Sequence, residues 1–193
     1  MMLQKSPNQL MVLALLAGLF TGAASSGLMQ NLFPGGHNPG GDRFGIQTHL
    51  TLSAGVAFAI LAPLALHWLL RLPKSALIAC GLASIGGMFL ASEAAFWTFV
   101  ATDDTKNVIP AYLAGSVVGS TILSGAIVWA GRLRNVGRVI GHCVAWPTLW
   151  AALIGSYITM NDAQKLLEWP NDMLLFCGWQ AAFLGALTWA LRD

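Results

Sequence analysis

The chain has 193 residues, of which 56% are hydrophobic and only 9% charged, and it carries a formal net charge of +2. A soluble domain solvates its surface with roughly 25% charged residues, so most of this surface must face something other than water. The ten basic residues form no patch that could track phosphates, which excludes nucleic acid as a partner.

A helix that crosses a bilayer needs roughly 20 largely apolar residues to cover ~30 Å of hydrocarbon. Six stretches qualify, at about 10–31, 47–70, 76–101, 108–131, 137–160 and 172–191. They predict an all-α integral membrane bundle of six helices, a single transmembrane domain over 1–193. The first stretch follows Lys5 and ends in Ala23, Ala24, Ser25 and Ser26. That arrangement resembles a signal peptide; it is taken here as the first helix. After it comes Pro34-Gly35-Gly36-His37-Asn38-Pro39-Gly40-Gly41, whose composition predicts a flexible loop. The second stretch opens on Gln47-Thr48-His49-Leu50 and contains Pro63; the fifth contains Pro147. Both prolines are expected to kink their helices.

The third stretch carries Glu93, the single acid inside a span. In the fourth, Gly115 and Gly119 form a GxxxG followed by Ser120, Ser124 and Gly125. Such a small-residue strip lets another helix approach closely. It reads as packing within the bundle, or alternatively as the contact of a homo-oligomer. Cys80, Cys143 and Cys177 all fall in apolar runs and read as small buried side chains rather than as a disulfide framework or metal site.

Orientation follows the basic residues, which accumulate on the cytoplasmic side. With the N-terminus inside, the cytoplasmic segments hold Lys5, Arg71, Lys74, Arg132, Arg134, Arg138 and Arg192, against Arg43, Lys106 and Lys165 outside. Seven against three predicts both termini in the cytoplasm, in what reads as a bacterial inner membrane. Trp68, Trp129 and Trp189 then lie near the inner boundary and Trp97 and Trp169 near the outer one, where an amphipathic ring is most comfortable.

Ionisable groups at membrane depth are costly and so mark candidate sites. Glu93 sits about 12 Å below the outer end of its helix at ~1.5 Å per residue. His49, Ser92, Tyr112 and Tyr157 are its candidate partners. His67 follows His49 by about 27 Å on the same helix face, so one site cannot use both. His142 lies at the depth of His67, and the two could together hold a heme. Each also sits four residues from an arginine, Arg71 or Arg138, at headgroup level, which fits an interfacial histidine. His49, Glu93, Trp97, Tyr112, Tyr157 and Asn161 are all expected in the outer third of the bundle. A pocket of an acid, an imidazole, phenols and an indole suits a small apolar or aromatic molecule arriving from the lipid bilayer.

The first half of the chain resembles the superfamily of styrene oxide isomerase and hydroxylaminobenzene mutase, small helical membrane enzymes. The resemblance is carried by Gly18-Leu19-Phe20-Thr21-Gly22, by Thr48-His49-Leu50 opening the second helix, and by Trp68-Leu69-Leu70-Arg71-Leu72-Pro73 before the third. It implies that His49 is an axial ligand to heme b, whose iron acts as a Lewis acid in an isomerisation without net redox change. Glu93 and Tyr112 would then position substrate. The family places an asparagine six residues after the histidine, where this chain has Gly55, and its members have four helices. Two other functions fit the pattern. One is a heme b electron-transfer subunit using His67 and His142; the other is a non-catalytic anchor or transport subunit, which the scarcity of buried charge favours.

Overall fold

The structure, a computed structural model, describes residues 6–32, 51–102, 107–161 and 171–192. The Gly/Pro-rich loop at 34–41 and His49 lie outside the described residues, as do Asp103, Asp104, Glu168 and Trp169. Six helices make up the rest: α1 (Pro7–Leu32), α2 (Val56–Leu70), α3 (Lys74–Thr102), α4 (Ile109–Gly131), α5 (Val136–Asn161) and α6 (Asn171–Ala190). A single π-helical turn, Thr51–Gly55, leads into α2. No strand occurs among the described residues. Six helical stretches are long and apolar enough to cross a membrane, the second of them running Ser53–Leu70 from the π-helical turn into α2.

The helix ends follow from local chemistry. Ser6-Pro7-Asn8-Gln9 is a capping box in which the Ser6 amide donates to Gln9 Oε1 at 2.8 Å and the Gln9 amide donates to Ser6 Oγ at 3.3 Å. Proline in the first turn removes an N–H that would have no partner. Helix α2 stops at Arg71, whose φ of 50° is left-handed and whose amide donates to the His67 carbonyl. Helix α4 stops in the same way at Arg132, with φ 49°. A non-glycine residue in this conformation costs roughly 1–2 kcal/mol. Arginine compensates in part, because its charge complements the partial negative charge of the helix C-terminus. The resulting turns, 71–73 and 132–135, are tight and fold α2 onto α3 and α4 onto α5.

Each helix packs on its neighbours in sequence, and α6 packs on α1, so the six form a closed ring. The α1–α6 seam is the tightest. A Cβ built on Gly18 would overlap the backbone of Ala181, and one on Gly22 would overlap that of Cys177. Only glycine allows two helix backbones to touch in this way. Hydrogen bonds cross the same seam: Cys177 Sγ donates to the Leu19 carbonyl at 3.4 Å, and Gln180 Nε2 donates to Ser25 Oγ at 3.0 Å. Gly115 and Gly119 face α3, where added Cβ atoms would lie 3.1 Å from the Ala91 carbonyl oxygen and 3.2 Å from Ala91 Cβ. Of the two uses expected for this strip, it serves the packing one; the face is occupied by α3 of the same chain. The three cysteines are buried and unbridged.

Within the ring, the half that carries the N-terminus is filled by Leu66, Leu69, Ile127, Val139, Leu184 and Leu187 among others. The outward faces are apolar as well. Phe20, Leu64, Leu82, Trp129 and Leu153 are all well exposed. In water such a surface would be an aggregation liability; in hydrocarbon it is the required one.

Overpacking a close helix seam typically costs ~1–3 kcal/mol. Gly22→Ile and Gly115→Leu are therefore expected to lower the thermal unfolding midpoint in detergent. Gly86→Leu should leave it unchanged, because a Cβ there meets nothing within 4 Å. Equal midpoints for all three would show that the seams are not close-packed.

Candidate functional site

At the middle of the ring three aromatic side chains meet. Trp179 stacks on Phe183 with ring centroids 5.7 Å apart and planes 11° from parallel, and Phe58 stands edge-on to both at 6.2 and 6.3 Å. Trp179 reaches from α6 to α4, where its Nε1 donates to Ser116 Oγ at 2.9 Å. Ser116 lies in turn 3.4 Å from Thr148 Oγ1 on α5. One indole thus ties α6 to α4, and one hydroxyl ties α4 to α5. Beside it, Gly178 leaves room for the Trp150 ring of α5, whose Nε1 donates to the Leu174 carbonyl at 3.1 Å.

From this aromatic layer towards the end of the bundle where α3 ends and α4 begins, the ring is not filled. A cavity of about 370 Å³ opens there between α3, α4 and α6, with Phe58 of α2 and Ala151 of α5 completing the wall. Its origin is in the side chains that face it. Helix α3 contributes Gly87, Ala91, Ser92 and Ala95, and α4 contributes Ala111, Gly115 and Gly119, all too small to reach the centre. The bulk comes from Phe96, Phe99, Phe176 and Trp179 at the margins.

The described wall is uncharged. Among the described residues lining it there is no Asp, Glu, Lys, Arg or His. The serine hydroxyls are turned back on their own helix, Ser84 donating to the Cys80 carbonyl at 2.6 Å and Ser92 to the Phe89 carbonyl at 2.8 Å. The other polar side chains on the wall are Tyr112, Ser116, Trp179 and Gln180.

The residues singled out by depth separate here. Tyr112 lines the cavity. Glu93 does not: it is half-buried on α3 and accepts a hydrogen bond from Trp97 Nε1, one turn along, at 3.1 Å. Trp97 and Tyr157 are exposed, and Asn161 Nδ2 donates to the Tyr157 carbonyl at 2.7 Å. His67 is exposed and His142 half-buried, both at the end of the bundle away from the cavity. No cluster of three or more metal-binding side chains occurs among the described residues. Heme iron is held in proteins by His, Cys, Met or Tyr. Of these, the described wall offers Met88 and Tyr112; His49 lies outside the described residues.

The constituents that depth alone did not reveal are Phe58, Trp179, Gln180 and the small-residue face of α3. Gln180 carried a signal: a long amide in the interior of an apolar helix must find partners inside the protein.

Fold and cavity together define an all-helical integral membrane protein with a ligand-sized cavity whose described lining residues are uncharged. No family model, no curated protein and no solved structure matches the chain.

The indole carries both a stack and a hydrogen bond. Trp179→Phe keeps the stack and should cost about 0.5–1.5 kcal/mol for the lost Nε1 donor. Trp179→Ala should cost ~3–5 kcal/mol. Unfolding in detergent by a titrated denaturant reads both; identical losses would show that the Ser116 bond contributes nothing.

Proposed function

We propose that this protein takes up a small, neutral, apolar or aromatic molecule through the bilayer and holds it in the cavity between α3, α4 and α6. The cavity itself carries this reading. Binding sites for small molecules are concave, mostly apolar and roughly 300–1,000 Å³, and a volume of about 370 Å³ lined by uncharged described residues falls in that class. A dry engineered cavity of about 150 Å³ holds benzene, so this one suits a two-ring body. The aromatic rings of its wall favour an aromatic ligand through offset and edge-on contacts.

The chemistry proposed on that ligand is an isomerisation. It follows the resemblance to the styrene oxide isomerase superfamily and requires heme b held by His49. Tyr112, on the wall, is the residue placed to orient an oxygen or nitrogen of the substrate. Glu93, paired along α3 with Trp97, lies off the wall. A non-catalytic transport subunit is the second reading, and one observation favours it: among the described wall residues, the Tyr112 phenol is the only group equipped for acid–base chemistry apart from hydroxyls and an amide. The proposed setting is a bacterial inner membrane with both termini cytoplasmic, supported by the seven-to-three bias of basic residues.

Three measurements separate these statements. Naphthalene added to the protein in nanodiscs is expected to raise the unfolding midpoint, by the equivalent of about 2.7 kcal/mol at a hundredfold excess over Kd, and to quench tryptophan emission. Ala111→Leu, which fills the wall, should abolish both effects; absence of either effect in the unmodified protein contradicts a ligand cavity. A Soret band in the purified protein that disappears in His49→Ala, and survives in His67→Ala and His142→Ala, is the outcome for the heme isomerase. A protein without the band is the outcome for the transport subunit. Reporter fusions after Arg71 and Arg134 should read cytoplasmic and those after Asp104 and Glu168 external; a cytoplasmic signal at Asp104 contradicts the orientation.

A further inference from the structure

At the end of the bundle away from the cavity, where α3 begins and α4 ends, an open groove of about 460 Å³ lies between Ser75, Trp129, Ala130 and Arg132. The two helices meet closely beneath it. Ser75 Oγ donates to the Ala130 carbonyl at 2.7 Å, and a Cβ built on Gly131 would stand 3.2 Å from Ala76 Cβ. Both membrane spans terminate here, α3 starting at Lys74 and α4 finishing at Gly131. The groove therefore lies at the depth of the lipid headgroups. Trp129 stands at its edge with 84% of its surface exposed, an amphipathic ring at the level where indoles are most comfortable.

The groove offers donors. Its Ser75 hydroxyl proton is already spent on the Ala130 carbonyl. The Trp129 indole N–H and the Arg132 guanidinium have no hydrogen-bond or ion-pair partner among the described residues. Lys74 precedes Ser75, Arg134 follows Arg132 by two residues, and both are exposed. No Asp or Glu among the described residues lies at this end of the bundle. Free donors and uncompensated positive charge call for an anion. The surface next to the groove says what carries it. Ile78 and Leu82 follow Ser75 on the same face of α3 and are 64% and 69% exposed. A phosphodiester on acyl chains satisfies the donors and covers that apolar face together; a soluble anion satisfies the donors alone. A zwitterionic headgroup suits the groove less, because its own cation would meet the positive charge of Lys74 and Arg134.

We infer that this groove binds one anionic phospholipid, whose phosphate accepts hydrogen bonds from the Arg132 guanidinium and the Trp129 indole while its acyl chains lie along Ile78 and Leu82. Lys74 and Arg134 select an anionic headgroup over a zwitterionic one. Basic pockets between membrane helices hold lipid headgroups by this combination of charge and depth. The site is independent of the cavity between α3, α4 and α6.

Native mass spectrometry of the full chain, released from micelles containing dioleoyl phosphatidylglycerol or dioleoyl phosphatidylcholine, counts the lipid each chain retains. The expected result is one phosphatidylglycerol held about tenfold more tightly than phosphatidylcholine. Arg132→Gln should lower that preference about fivefold. Arg192→Gln, at the α1–α6 corner of the same end, should leave it unchanged. Trp129→Phe changes an exposed side chain, so the fold survives it, and it should also weaken phosphatidylglycerol retention; it carries the test if Arg132→Gln does not fold. Glycerol phosphate, the same phosphate without acyl chains, should not displace the lipid. Equal retention of the two lipids overturns the inference, as does retention unchanged in the groove variants. A preference that Arg132→Gln and Arg192→Gln reduce alike overturns it too, since it would belong to the charge of the whole end. Displacement by glycerol phosphate overturns the lipid assignment in favour of a soluble anion.

Discussion

The contact between α1 and α6 at Gly18 and Gly22 decides what the rest of the bundle can do. In a bilayer the hydrophobic effect does not press helices together, because lipid tails are as apolar as leucine. Close van der Waals approach and buried hydrogen bonds must hold them. Gly18 and Gly22 let the two backbones touch, and the Ser25–Gln180 and Cys177–Leu19 bonds cross the line of contact. The first and last helices are thereby joined, and a chain of sequential helix pairs becomes a ring.

A ring of six helices has an interior that side chains must fill. On the N-terminal side leucine, isoleucine and valine do so. Towards the other end the facing residues of α3 and α4 are mostly glycine, alanine and serine. These let α3 and α4 pack closely, and the same shortness leaves the centre open. Trp179 sets the boundary between the two regimes, braced by Phe183 behind it and by Ser116 at its tip. Tight seams and an unfilled centre are thus two results of one composition. The seam at Gly18 and Gly22 also places Ser25 against Gln180, so the group that fixes the amide belongs to the group that closes the ring.

The six spans were legible because apolar runs of adequate length are the direct signature of a bilayer. The capping box at Ser6 and the caps at Arg71 and Arg132 came only with the structure, since residue type does not signal a left-handed arginine. Position along a helix converts to depth, and Tyr112, expected in the outer third of the bundle, lines the cavity. Depth could not say which way a side chain faces, and so it grouped Glu93, Trp97, Tyr157 and Asn161 with Tyr112. The Gly18–Gly22 spacing was visible, but its partner, α6, is more than 150 residues away along the chain. Nothing in either segment names the other. The cavity was hidden for a similar reason: small residues on α3 and α4 read as packing, and only adjacency of α3, α4 and α6 turns them into a wall.

The most direct test is to locate a ligand. Crystals of the protein grown with 6-bromo-2-naphthol, measured at the bromine edge, should show one anomalous peak between Phe58, Tyr112 and Trp179. A bromine peak only on the lipid-facing surface, beside Trp97 or Trp129, with the space between α3, α4 and α6 closed by repacked side chains, would contradict a ligand site there.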